Sequence, residues 1–348
     1  MSQTTADLLF ELGTEELPAG PLLSMGEALR ASILEGLANH GLPCGGSQMF
    51  VTPRRLAVLV KAVGLVAPDK TVEALGPPVA AARDKQGDWT PAALGFAKKQ
   101  GVEVTQLEVV STNKGDRLGL SRIETGAQAD AVLPQILANA VAAIPVSKRM
   151  RWGRERHEFL RPVQWIVALL GTQVIDVVVM GIGSDRHTQG HRFHHPESIA
   201  LESPEQYEDA LLGAHVLADF DQRRERIGTQ VLAIAKDLNA NAVIDEALLD
   251  EVTGLVEWPV ALQGSFDPAF LEVPAGAVIS SMKEHQKYFH LVSDQNQLLP
   301  LFITVSNIES NNPASVIAGN ERVIRPRLSD AAFFFETDKA TPLADRGS

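Results

Sequence analysis

Residues 148–196 read KRMRWGRERHEFLRPVQWIVALLGTQVIDVVVMGIGSDRHTQGHRFHHP, and this stretch decides the fold. Two β-branched apolar runs, VQWIVALLG and TQVIDVVVMG, have the composition of adjacent strands. A basic segment (148–161) precedes them, and a polar turn closing on Gly190-His191-Arg192-Phe193 follows. Cationic side chains therefore stand directly before a sheet able to hold them. That arrangement suits an anion, with RNA one candidate. The segment places Lys148, Arg149, Arg151, Arg154, Arg156 and Arg161 against Glu155 and Glu158, in a chain of net charge −12. Arginine binds phosphate bidentately and a tryptophan stacks on a base, so Arg149, Arg151, Trp152 and Arg154 are the candidate RNA contacts. A contact to another subunit, or a solvated loop paired with the chain's own carboxylates, fits the same residues.

Toward the N-terminus, residues 6–13 (ADLLFELG) read as a short buried strand. Leu22, Met25, Leu29, Ile33 and Leu37 recur at helical spacing, and Gly41 stands where a left-handed C-cap belongs. Residues 50–63 alternate as strand, interrupted by Pro53. Arg54 and Arg55 follow that proline. A two-residue period turns them to opposite sides, so at most one is expected in any single site, RNA contact or internal ion pair. The ion pair is the preferred reading. Residues 68–91, rich in Gly, Pro and Ala, read as a loop. A short helix is expected over 91–101, strands over 102–110 and 117–123, and a helix over 128–144, with Pro134 in its first turn or kinking it.

Toward the C-terminus, Asp219 and Asp245 each stand where an N-cap belongs. Phe220, Ile227, Val231, Ile234 and Leu238 form the apolar face of the first helix, with Arg223, Arg224 and Arg226 on its other face. This helical region reads as an insertion between sheet layers. Strands are expected at 258–264, 288–293 and 299–308, with Trp258 and Phe289 in the core. A last helical stretch runs from Pro313 to Asp338, broken near Pro326, and Arg322, Arg325 and Arg327 are expected in ion pairs near Asp330. The fold class is α+β, with several mixed α/β subdomains, largely antiparallel or mixed sheets and the helical insertion. The expected units are 1–66, 67–196, 197–257 and 258–348.

Length and charge bound the function. A chain of 348 residues supports two or three domains. Its acidity opposes non-specific nucleic-acid binding, so any RNA contact must be local. Cys44 is the only cysteine, which excludes disulfides and cysteine zinc sites within the chain and fits a reducing cytoplasm. The N-terminus lacks the basic and apolar regions of a signal peptide.

Glu11-Leu12-Gly13-Thr14-Glu15-Glu16-Leu17-Pro18, Pro53-Arg54-Arg55-Leu56-Ala57, Met150-Arg151-Trp152-Gly153 and Arg161-Pro162-Val163 form a series of blocks. Gly190-His191-Arg192-Phe193, Leu255-Val256-Glu257-Trp258-Pro259, His285-Gln286-Lys287-Tyr288-Phe289, Gly319-Asn320-Glu321-Arg322-Val323 and Arg327-Leu328-Ser329-Asp330-Ala331 follow. In this order the blocks resemble the β subunit of the bacterial heterotetrameric glycyl-tRNA synthetase. One departure is Lys114-Gly115-Asp116-Arg117-Leu118, where the family tends to have Glu and an aromatic. The resemblance covers nearly the whole chain and only the first part of such a subunit. It implies a cytoplasmic α2β2 enzyme that joins glycine to tRNA(Gly). The α subunit is implied to hold ATP and Mg²⁺, with no catalytic residue, cofactor or metal in the present chain. It also implies that the last unit leads toward an HD-type domain. A scaffold that binds only the α subunit is the nearest alternative.

His187, His191, His194 and His195 lie within nine residues and raise a metal-dependent hydrolase as a further alternative. In an extended segment, however, His194 points away from the others, and a hydrogen-bonded loop is the preferred reading. Glu11, Glu15 and Glu16 are expected as carboxylates at a helix N-terminus. No phosphate loop, nucleophile elbow or dinucleotide fingerprint occurs.

Overall fold

The computed structural model describes residues 4–146, 150–152 and 157–340. β1 (Thr5–Thr14) is the central strand, and nearly all of its residues are buried. Leu8, Phe10 and Leu12 enter the core on one face of its sheet, and Leu9 enters a second core on the other. α1 (Leu22–Asn39) buries Leu22, Met25, Leu29, Ile33 and Leu37, the five positions marked by spacing. Gly41 follows with φ +70, the left-handed conformation that glycine adopts without a Cβ clash. Residues 50–63 form a hairpin, β2 (Ser47–Thr52) and β3 (Arg55–Gly64), with Pro53 and Arg54 in its turn.

The expected loop at 68–91 is partly sheet. β4 (Lys70–Pro78) alternates in exposure and pairs antiparallel with a strand more than forty residues on. α2 (Pro91–Gln100) is capped by the Thr90 hydroxyl, which accepts from the Ala93 amide. Residues 102–110 divide between a 3₁₀ turn at Val104–Gln106 and β5 (Glu108–Thr112), which returns as β6 (Gly115–Glu124). α3 (Ala129–Ala142) runs through Pro134 and packs on α1. Proline lacks one amide donor, but Leu133, Ile136 and Leu137 on either side of it are buried and hold the helix to the core.

β7 (Met150–Trp152) and β8 (His157–Phe159) form an antiparallel pair. β9 (Val163–Leu170) lies beside β1. The second apolar run divides into β10 (Gln173–Val174) and β11 (Val178–Val179). β12 (Ile182–Asp185), β13 (His187–Gln189) and β14 (Ser198–Ala200) follow. The main sheet has seven strands in the order β11-β12-β9-β1-β3-β2, with β10 on β9, and only the β12–β9 pair is parallel. It draws strands from both sides of residue 66.

α4 (Tyr207–Gly213), α5 (Phe220–Asp237) and α6 (Glu246–Thr253) carry the helical region. Asp219 and Asp245 cap α5 and α6, accepting from the Gln222 and Leu248 amides at 2.9 Å each. β15 (Asn241–Ala242), β16 (Val260–Ser265), α7 (Ala275–Ser280), β17 (Phe289–Val292) and β18 (Leu298–Ser306) follow. These strands form an antiparallel sheet in the order β15-β17-β18-β16. Ile227, Val231 and Leu249 share a core with Phe289 and Ile303 on this sheet.

α8 (Pro313–Ala340) closes the described fold without the break expected at Pro326. Ile324 and Leu328, on either side of that proline, are buried at 0% and 1% exposure. Packing of both flanks offsets the missing hydrogen bond. Arg322, Arg325 and Arg327 form none of the expected ion pairs among the described residues, and all three are exposed.

Candidate functional site

Glu11 points from β1 into a fully buried ionic centre. The Trp165 indole N–H and the Tyr207 hydroxyl donate to its two carboxylate oxygens. The Thr188 hydroxyl adds a third bond at 2.6 Å. Arg55, at the start of β3, approaches Glu11 at 3.4 Å and donates from Nε to Glu257 at 3.1 Å. Glu257 follows α6, and its carboxylate also takes the Thr52 hydroxyl at 2.7 Å. Arg54 stands 3.8 Å from Glu257 and donates to the Gly190 carbonyl at 3.2 Å. Gly13 makes room for the centre, because a Cβ there would lie 2.0 Å from the Trp165 ring.

Both arginines therefore serve one site. The two-residue period does not separate them, because Arg54 lies in the hairpin turn and only Arg55 begins the strand. Arg55 is 0% exposed, so its guanidinium answers to the protein's own carboxylates and not to RNA. The helix-terminus role expected for Glu11, Glu15 and Glu16 is also replaced. Glu11 lies in a strand, and Glu15 and Glu16 pair with Arg192 at 2.7 and 2.8 Å.

The electrostatics follow from burial and pairing. Burial alone raises the Glu257 carboxyl, but Arg55, the Thr52 hydroxyl and Arg54 outweigh it and hold the group below its usual range. Burial and the Glu11 carboxylate push the Tyr207 phenol well up, which keeps its proton available for donation. Arg223, expected on the exposed face of α5, is fully buried and drawn down by burial to about 10. It spans the junction by donating to the Val51 and Leu217 carbonyls at 2.7 Å each and to Thr253 at 3.0 Å. Position 223 falls three residues after Phe220 and four before Ile227, so the helix carries it on the buried face.

The histidine loop packs over this centre. His191 is buried, and its Nε2 bonds the Asn307 carbonyl at 2.7 Å. The Glu309 amide donates to His194 Nε2 at 3.0 Å. His187 pairs with Asp185 at 2.6 Å, and His195 meets the Glu197 carbonyl at 3.2 Å. Among the described residues no three His, Cys, Asp or Glu side chains are grouped to hold a metal ion. Trp258, expected in the core, is only half-buried. Arg226 lies 4.1 Å over its ring, and the Trp258 indole N–H donates to Glu309 at 3.3 Å.

Burial holds the His191 imidazole below its usual pKa, against the opposing pull of Glu257. The folded form therefore favours the neutral ring. This contribution to stability is complete above the unfolded value of about 6.5 and is lost as the pH falls toward the lower folded value. The urea midpoint is expected to fall between about pH 7.5 and 5.5, and His191→Gln to reduce that fall.

Of the segment that opened the sequence reading, Arg149 and Arg154 lie outside the described residues. Arg151 and Trp152 fall on β7, paired in register with Glu158 and His157, where the backbone alone is described. Arg161 donates from Nε to the Glu16 carbonyl at 2.9 Å.

Four blocks that are distant in sequence thus meet in one place. They are the strand carrying Glu11, the hairpin with Arg54 and Arg55, the loop with His191, and the segment with Glu257 and Trp258. No short-range signal shows that they converge. An arginine pair after a proline signals a charged turn, but not the carboxylate that it meets.

Fold and centre together define an α+β protein whose signature side chains are joined to one another in its interior. A family model described as glycyl-tRNA synthetase beta subunit matches residues 8–348, and the chain belongs to that family. The glycine–tRNA ligase beta subunit of Chromohalobacter salexigens is 54% identical over 341 residues, covering 98% of this chain and 49% of that protein. The beta subunit of Marinobacter nauticus is 50% identical over 344 residues, covering 98% and 50%. That of Pseudomonas syringae pv. syringae is 48% identical over 337 residues, covering 97% and 49%. The chain spans about half the length of the curated relatives it matches. No helix among the described residues is long and apolar enough to cross a membrane.

Proposed function

We propose that this chain is the N-terminal half of the β subunit of a glycine–tRNA ligase. It supports tRNA(Gly) binding and assembly with an α subunit into an α2β2 enzyme that charges tRNA with glycine. The observation that carries this reading is the family match across residues 8–348. ATP and Mg²⁺ belong on the α subunit in this scheme. The self-paired centre around Glu11 supports that division, because its carboxylates are already engaged by buried donors.

Among the six residues considered for RNA contact, the reading retains Arg149, Arg151, Trp152 and Arg154. The test is reconstitution of the full-length β chain with its α subunit, as wild type and with Arg149, Arg151 and Arg154 all changed to Ala. Glycylation and ATP–pyrophosphate exchange are expected only with α present. The triple variant is expected to assemble normally and bind tRNA more weakly, most of all at low salt. Each lost phosphate contact reduces the log–log salt slope by roughly 0.7–0.9. Exchange by β protein free of α refutes the division of labour. Loss of α with an unchanged salt slope makes the segment an assembly surface.

A further inference from the structure

α8 is amphipathic in an unusual way. Its inner face buries Ile324 and Leu328 against Val278, Met282, Tyr288 and Phe302. Its outer face leaves Val323, Phe333 and Phe334 at 50%, 67% and 65% exposure, with the two phenyl rings 5.9 Å apart. Val323, Arg327, Asp330 and Phe334 follow one another at helical spacing, and Arg322, Pro326 and Phe333 form the adjoining row.

Arg322, Arg325 and Arg327 have no partner among the described residues. Every other arginine with a described side chain has a hydrogen bond, an ion pair or an aromatic ring beside it. In so acidic a chain, three free guanidiniums within six residues are a local exception. Exposed aromatics beside arginines have the composition of a protein interface, and contiguous exposed apolar surface marks such sites.

Protein is favoured over RNA as the occupant. Glu321, Asp330, Glu336 and Asp338 match Arg322, Arg325, Arg327 and Lys339 in number, so the helix offers a phosphate backbone no net charge. The relatives are about twice as long as the matched residues. A segment of the same polypeptide reaches α8 at high effective concentration, so a modest contact suffices to hold it.

We propose that the outer face of α8 is the seat of the other half of the β subunit. That half presents an apolar hollow for Phe333 and Phe334 and carboxylates for Arg322 and Arg327. This rests on the reading of the chain as the N-terminal half of such a subunit.

The test uses a cysteine reporter on the exposed Ser329, in the row of Arg322, Pro326 and Phe333, as Ser329→Cys in a Cys44→Ser background. Maleimide labelling is followed in the 348-residue chain and in the full-length β chain. The thiol is expected to react freely in the first and at least about tenfold more slowly in the second, with no partner added. Adding Phe333→Ser and Phe334→Ser to the full-length chain is expected to restore fast labelling. Equal rates in the two chains overturn the proposal. So does protection that appears only with the α subunit, only with tRNA, or in the 348-residue chain as its concentration rises. Glycylation by full-length β mixed with α reports separately on the underlying reading.

Discussion

Arg55→Ala is expected to destabilise the folded chain by about 3–5 kcal/mol, the cost of leaving buried charge without its partner. The substitution removes the guanidinium that lies between Glu11 and Glu257, all three being at most 1% exposed. Water cannot replace it without opening the sheet. The pair itself is a weak source of net stability, because desolvation offsets most of its Coulomb attraction. Arg55→Met combined with Glu257→Gln should therefore cost less than Arg55→Ala alone. Urea denaturation of the three proteins checks this. A loss under about 1 kcal/mol for Arg55→Ala, typical of an exposed charge, would show that the centre is solvated. The same centre sets an acid limit. The depressed Glu257 carboxyl contributes stability that is complete above its unfolded value of about 4.3 and is lost as the pH falls through the lower folded value. Glu257→Gln should flatten that limb of the pH profile.

Phe289→Ala should cost about 3–5 kcal/mol, the range for truncating a buried aromatic. The ring is 0% exposed on β17, opposite Ile303 of β18, and shares a core with Ile227, Val231 and Leu249. Truncation leaves a cavity between the four-stranded sheet and α5 and α6 that neither layer can close without moving the other. Trp258→Ala should cost less, since that indole is half-buried and packs against an arginine at the surface. Wild-type stability of Phe289→Ala with weakened tRNA binding would instead identify the ring as a stacking surface.

Local order was legible where the physics is local. The apolar row of α1, the aspartate caps of α5 and α6 and the strands β16, β17 and β18 follow from spacing and composition. An internal ion pair was legible for Arg55, but its partners and its full burial were not, nor was the burial of Arg223, because both depend on groups supplied from elsewhere in the chain. β4 was hidden by its glycine and two prolines, which suggest a loop until β6 is beside it. Pro326 suggested a break, but a helix held by its neighbours on both sides of a proline tolerates one missing bond. The basic segment was readable as charge. Its role depends on a surface that charge alone does not specify.

The span of the ionic centre bears on how the protein is made. Glu257 lies 202 residues after Arg55, and Tyr207 lies 196 after Glu11. A ribosome working at about 5–20 residues per second needs roughly 13–50 seconds to supply every member of the centre. During that interval β1, β2 and β3 can pair, but Glu11 and Arg55 lack most of the donors and acceptors that burial demands. Water must stay at the heart of the nascent sheet, which closes only as the segment bearing Glu257 emerges.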